Sequence, residues 1–213
     1  TSLCADISLG YTYDTVVPTV EITTAPTITS ANETNYNLNG TCSEDGQTVQ
    51  VSVGGVSPGV APVCSSNLWT ITGLDVSGVA DGNVTVLADH QDAAGNNAVQ
   101  DSATILKDAT GPTVPEVQAW TWALSSPANG AISNDGTPVV DLSGAGAEET
   151  GTIQVYDDAV CSSPKGVIQA ITAGATTHAD IIYAVDGSQD GVKNFYVVAT
   201  DPLGNASSCV DIS

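Results

Sequence analysis

"DGNVTVLADHQDAAGN" (Asp81–Asn96) returns as "DGVKNFYVVATDPLGN" (Asp190–Asn205), an offset of 190 − 81 = 109 residues. In each copy an Asp-Gly pair precedes apolar residues on alternate positions: Val84, Val86 and Ala88 in the first, Phe195, Val197 and Ala199 in the second. A period of two is the mark of a strand with one face buried. Each run then ends in a five-residue turn, DxxGN, and glycine beside asparagine suits a hairpin. The chain therefore builds the same strand and the same turn twice.

Two further blocks repeat around it. "DTVVPTV" (Asp14–Val20) matches "DATGPTV" (Asp108–Val114) at 108 − 14 = 94 residues, and "LNGTCSEDGQTVQV" (Leu38–Val51) matches "LSGAGAEETGTIQV" (Leu142–Val155) at 142 − 38 = 104. Block order is kept while the offset grows, so the second copy holds two insertions, and "QAWTWALSSPANGA" (Gln118–Ala131) reads as one of them. A repeat of this length is a domain and not a solenoid unit. "TVQVSV" and "TIQVYD" alternate as strands, and "NLWTITGL" (Asn67–Leu74) adds another with Trp69 as a core residue. About seven short strands per copy, punctuated by turns and free of helical patterning, predict an all-β protein. The expected architecture is two tandem immunoglobulin-like β-sandwich domains, residues 16–107 and 108–213. Residues 1–15 read as the last strand of a preceding domain plus a linker, because "TSLCADIS" (Thr1–Ser8) shares five of eight positions with "ASSCVDIS" (Ala206–Ser213).

Composition narrows the function. Of 213 residues 24 are acidic, against three lysines and no arginine, for a net charge of −21. Nothing is present to neutralise a phosphate backbone, which argues against nucleic acid, and anionic lipid is disfavoured for the same reason. No apolar run has the length of a bilayer span. Apolar residues at 41% still allow a core. The five cysteines form no Cys-x-x-Cys pair and read as disulfides of an exported protein. Cys42–Cys64 and Cys161–Cys209 would staple one sandwich each, leaving Cys4 without a partner in the chain. Loop-closure entropy puts each staple at roughly 3–4 kcal/mol.

Acidic residues recur at three stations in both copies. In a sandwich the lead-in, the turn after the second strand and the last hairpin share one pole. That gathers Asp14, Glu44, Asp45, Asp92 and Asn96 in the first copy, and Asp108, Glu148, Glu149, Asp201 and Asn205 in the second. Unit charges 4 Å apart repel by about 4 kcal/mol at an effective dielectric of 20, so the pole predicts raised pKa values or a bound cation. Oxygen ligands without His or Cys favour Ca²⁺. Asp89, Asp157, Asp158 and Asp186 have no matched setting and read as solvated surface, while Asp81 and Asp190 read as turn residues.

"DTxxPTV" at a domain start, a "GxxxEDG" turn, "WTxTGL" and "ADxxDAAGN" resemble the bacterial immunoglobulin-like tandem repeats of large biofilm-associated, type I-secreted (RTX-type) cell-surface adhesins. The similarity spans most of Val16–Asn96 and, more loosely, Asp108–Ser213. It implies a non-catalytic stalk module on the bacterial surface or secreted, in contact with adjacent domains and stiffened by Ca²⁺ at its junctions for attachment or biofilm formation. It also implies that Asp14, Glu44, Asp92, Asn96, Asp108, Glu148, Asp201 and Asn205 are the ligands. The cysteines and the segment Gln118–Ala131 depart from that pattern.

No catalytic motif is present: His90 and His178 lie in different copies, and no GxSxG, HExxH or phosphate loop occurs. Two rivals to the stalk remain. Trp120 and Trp122 alternate onto one side of a strand and can stack on a surface glycan. Alternatively, the N-terminal strand can complete the sheet of a neighbouring subunit in a surface filament.

Overall fold

The computed structural model describes residues 10–112, 120–126, 139–144, 151–171, 176–180 and 190–212. Thirteen strands and no helix occur among them, so the all-β expectation holds, and no helix is long and apolar enough to cross a membrane. Tertiary contacts divide the chain into two compact units: Thr1–Ile28 with Asn32–Lys107, and Asp108–Ser213 with Thr29–Ala31.

In the first unit, β1 (Val20–Thr24), β2 (Tyr36–Cys42) and β4 (Leu68–Leu74) form one antiparallel sheet in the order β1-β2-β4. β3 (Val49–Val53), β5 (Gly82–His90) and β6 (Asp101–Lys107) form the other, in the order β3-β5-β6. Alternation places Tyr36, Leu38 and Cys42 of β2, Val49, Val51 and Val53 of β3, and Val84, Val86 and Ala88 of β5 on the inner faces. Trp69, 1% exposed, is the largest side chain in this core. Its indole lies over Gly40, the residue opposite it on β2, and its Nε1–H donates to the Thr41 carbonyl at 3.1 Å. A fully buried large apolar side chain contributes about 1.5–3 kcal/mol, so these positions dominate the unit's stability. The Tyr36 hydroxyl, with no surface left exposed, donates to the Pro26 carbonyl at 2.6 Å, and burial pushes its pKa up to about 12.

Six strands stand where about seven were expected, and prolines account for it. Pro26 has no N–H to continue β1. Two residues later Ile28 re-pairs, in parallel, with Lys107 at the end of β6. Between β3 and β4, the segment carrying Pro58 and Pro62 makes isolated bridges in place of a strand, Thr48↔Val63 among them. At the far end of β4, Gly73 takes φ +72° and lets three residues of β4 span two of β2, so that Leu74 as well as Ile71 faces inward.

The second unit repeats this plan. β7 (Trp120–Ser126), β8 (Val139–Gly144) and β11 (Thr176–Asp180) form a sheet in the order β11-β8-β7. β9 (Gly151–Tyr156), β10 (Pro164–Ile171), β12 (Tyr196–Thr200) and β13 (Val210–Asp211) form the other, in the order β10-β9-β12-β13. Ile153, Val155, Phe195, Val197 and Ala199 are its buried apolar residues among those described. One expectation is corrected. "WTWALSS" does not interrupt the second copy; it supplies β7, which pairs with β8 as β1 pairs with β2. A sandwich needs a first strand against its second, and among the described residues this segment fills that place.

Both expected disulfides form, Cys42–Cys64 and Cys161–Cys209. Cys4 and Asp186 lie outside the described residues, as does all of residues 1–9. Residues 10–15 carry no strand.

Candidate functional site

The turn closing β5 is built around Asp92. Gly95, at φ +92°, bends the chain tightly enough for its N–H to reach the Asp92 carbonyl and for Asp92 N–H to reach the Asn96 carbonyl. The Asp92 side chain folds inside that loop. Its Oδ1 accepts from the Ala94 N–H at 2.9 Å and the Asn96 N–H at 2.8 Å, and its Oδ2 accepts from Asn96 Nδ2 at 2.7 Å. The second hydrogen of Nδ2 goes to the main-chain carbonyl of Asp14 at 3.1 Å. Because carboxylate and carbonyl oxygens can only accept, the amide nitrogen must face them.

The second unit reproduces this network bond for bond. Asp201 Oδ1 accepts from Leu203 N–H and Asn205 N–H, both at 2.9 Å, and Oδ2 from Asn205 Nδ2 at 2.8 Å. Asn205 Nδ2 also donates to the Asp108 carbonyl at 2.9 Å. Gly204, at φ +89°, fills the role of Gly95. Asp92, Asp201 and Asn205 are all buried. Burial works to raise the Asp92 pKa, but the donors on Asn96, Ala94 and Gly95 outweigh it and hold the carboxyl below its ordinary range.

The three stations of the first copy do meet at one pole. The lead-in touches the last turn through Asp14 and the β2–β3 turn through Thr19, whose N–H donates to Ser43 Oγ at 2.9 Å while Ser43 N–H returns to the Thr19 carbonyl at 3.1 Å. His90 ties that second turn to the last. Its Nδ1–H donates to the Thr48 carbonyl at 3.0 Å, leaving Nε2 to accept the Glu44 N–H at 3.3 Å. Both ring nitrogens are thereby committed in the neutral tautomer, and none is left for a metal.

The carboxylates of Asp14, Asp45, Asp92 and Asp201, however, are turned to N–H groups. Asp45 accepts from Ser66 N–H at 3.0 Å and Asn67 N–H at 2.8 Å, bracing a two-residue hairpin in which both residues have positive φ, 55° and 61°. Asp14 Oδ1 accepts from Val16 N–H at 3.0 Å. Among the described residues no three Asp, Glu, His or Cys side chains gather to hold one ion. Glu148 and Glu149 lie outside the described residues. Asp14, Asp45, Asp92 and Asp201 as placed therefore do not form a calcium cage: their charges are met by backbone and carboxamide hydrogens.

Three acids read as solvated surface have structural partners. Asp89 accepts from Gln100 Nε2 at 2.7 Å, and Asp157 pairs with Lys165 at 3.5 Å. Asp158 accepts the amides of Val160, Ser162 and Ser163, which hold its carboxyl below the ordinary range and shape the loop carrying Cys161. Asp81, read as a turn residue, lies 3.5 Å from the buried Lys107 ammonium, which also pairs with Glu33 at 2.6 Å. Trp120 and Trp122 stand opposite Gly144 and Leu142 across the β7–β8 ladder, and His178 of β11 opposite Asp141 of β8.

Sequence reasoning missed the acceptors of the two Asn side chains, because the Asp14 and Asp108 carbonyls belong to the main chain and have no residue signature. The missed role of Asp45 had one available signal, the Ser66-Asn67 pair before a strand.

No family model matches the chain, and no curated protein does. Among solved structures it is similar to one of a 1.5-MDa bacterial ice-binding adhesin concerned with host cell surface retention, at 18% identity and TM-score 0.53, covering 91% of this chain and 61% of that one. It also matches a tetra-tandem repeat from the extending region of a large adhesion protein, at 22% identity and TM-score 0.36, over 92% of this chain and 48% of that one. Fibronectin(III)-like modules of Clostridium thermocellum CbhA match at 12% identity and TM-score 0.42, over 90% of each chain. The chain spans about three fifths of the first structure, and at that identity the likeness is one of fold: two immunoglobulin-like β-sandwiches, as the strand order also gives.

Proposed function

We propose that the chain is a non-catalytic extender segment of a large bacterial surface adhesin, working as a spacer between other modules and carrying no binding tip of its own. The observation that supports this reading most is the repeated fastening at the lead-in pole: in each sandwich three side-chain hydrogen bonds shape the last turn and a fourth, from its Asn, holds the chain that enters. A spacer needs each segment closed firmly on the chain that leads into it, and buried polar groups serve that task in each unit. The likeness to an adhesin of known structure supports the same reading. An acidic chain with a net charge of −21 suits an exposed stalk, since like charge discourages collapse onto itself or onto neighbours. The calcium expected from the clustered acids and from the family resemblance forms no part of this reading.

The test is to place the chain between a surface anchor and a reporter epitope on cells, then insert it a second time. An extender moves the epitope outward by the same increment with each copy and retains no sugar on a glycan array. Retention of a glycan that is lost in Trp122→Ala overturns the reading in favour of a binding module. A ladder of covalent multimers on non-reducing electrophoresis overturns it in favour of a filament subunit.

A further inference from the structure

We propose that each DxxGN turn is a metal-independent latch whose Asn carboxamide fastens the main chain entering a unit to that unit's last hairpin. This goes beyond the extender reading and stands on the geometry of each unit alone. The argument begins with the residue at the fifth position. A cation ligand there needs only an oxygen, and Asp would serve at least as well as Asn. A latch needs two hydrogens on one nitrogen, one for the aspartate and one for the entering carbonyl. Asn96 Nδ2 spends its pair on Asp92 Oδ2 and the Asp14 carbonyl, and Asn205 Nδ2 on Asp201 Oδ2 and the Asp108 carbonyl.

Asp at the first position is equally specific. Its three accepted hydrogen bonds orient the carboxamide and satisfy the negative charge without an ion. Glycine at the fourth position supplies the left-handed residue that brings the fifth back over the first. In the first unit a further tie, Thr19 with Ser43, secures the lead-in downstream of the latch. The same arrangement in two copies with different residues between, Ala93-Ala94 and Pro202-Leu203, shows that Asp, Gly and Asn carry it.

Hydrogen exchange of the full chain, read at the Val16 and Thr19 amides, which donate to Asp14 Oδ1 and Ser43 Oγ, with β5 as the folding control, separates a latch from a cation site. Wild-type protein in EDTA is expected to protect these amides, with calcium adding less than twofold. Asn96→Asp sets a second carboxylate against Asp92 and is expected to speed their exchange about tenfold, with or without calcium. Asn96→Ala, which adds no charge, is expected to do the same with β5 unchanged. The exchanged pair Asp92→Asn with Asn96→Asp restores donor and acceptor inside the turn but leaves the Asp14 carbonyl without a donor. It should recover the melting temperature while exchange at Val16 and Thr19 stays fast, which a role confined to turn stability does not produce. Wild-type protection lost in EDTA and regained in calcium overturns the proposal, as does wild-type protection of Asn96→Asp in calcium or of Asn96→Ala in EDTA.

Discussion

Removing the Cys42–Cys64 bridge by Cys42→Ala with Cys64→Ala tests how the first unit is held together. The bridge closes a loop of 22 residues, and the chain-entropy relation converts that length to about 3.4 kcal/mol at 25 °C. Both cysteines are buried, at 3% and 1% exposure, in the core that holds Trp69, so lost sulfur packing adds to the entropic cost. The bridge also lies beside the turn carrying Glu44 and Asp45, where Gly46 N–H donates to the Cys64 carbonyl and Cys64 N–H to that of Gln47. With a urea m-value of about 1.2–1.5 kcal/mol/M for a unit of this size, the midpoint should fall by roughly 2–3 M. Urea titration followed by tryptophan fluorescence reads this, because Trp69 reports the first unit. Cys161–Cys209 closes 48 residues and is worth about 4 kcal/mol on entropy alone, but its cysteines are only half buried. If loop entropy dominates, its removal costs the second unit at least as much as the first bridge costs the first. A loss below about 1 kcal/mol on removing Cys42–Cys64 would refute the reasoning, since neither entropy nor burial would then be at work.

Other consequences follow from single positions. Gly40→Ala drives a methyl to within 2.6 Å of the Trp69 ring and against the Glu21 carbonyl. An overpacking cost of about 2–3 kcal/mol is expected, seen by calorimetry as a melting point lower by about 10 °C or more. Tyr36, raised to about 12 by burial, keeps its proton in the fold well beyond the ordinary value near 10. Its contribution to stability is complete below about pH 10 and is lost as pH rises toward 12, so one of the six tyrosines should ionise late, or only on unfolding, in an ultraviolet titration. Asp92 has the opposite sign: its lowered pKa contributes stability above about pH 4 that is lost as pH falls further. Asp92→Asn should therefore be less stable than wild type at pH 7 and approach it near pH 2 in thermal melts.

The architecture was legible in the sequence because strand alternation is local and periodic. Val84, Val86 and Ala88 face inward in the structure on the alternate positions their spacing assigned. The two disulfides were legible because the cysteines other than Cys4 fall two to each copy. Meeting of the lead-in, second turn and last turn at one pole followed from the repeat blocks and from the connectivity of a sandwich. What those carboxylates do there did not follow. Acidic residues converging in a sequence imply repulsion to be relieved, and a cation is one relief. For Asp45, Asp92 and Asp201 tertiary structure supplied another, in N–H groups from turns whose φ angles are set by Gly95, Gly204, Ser66 and Asn67. Those donors, like the carbonyls of Asp14 and Asp108, belong to the main chain. They have no letter of their own, so only the folded path of the chain decides where they point.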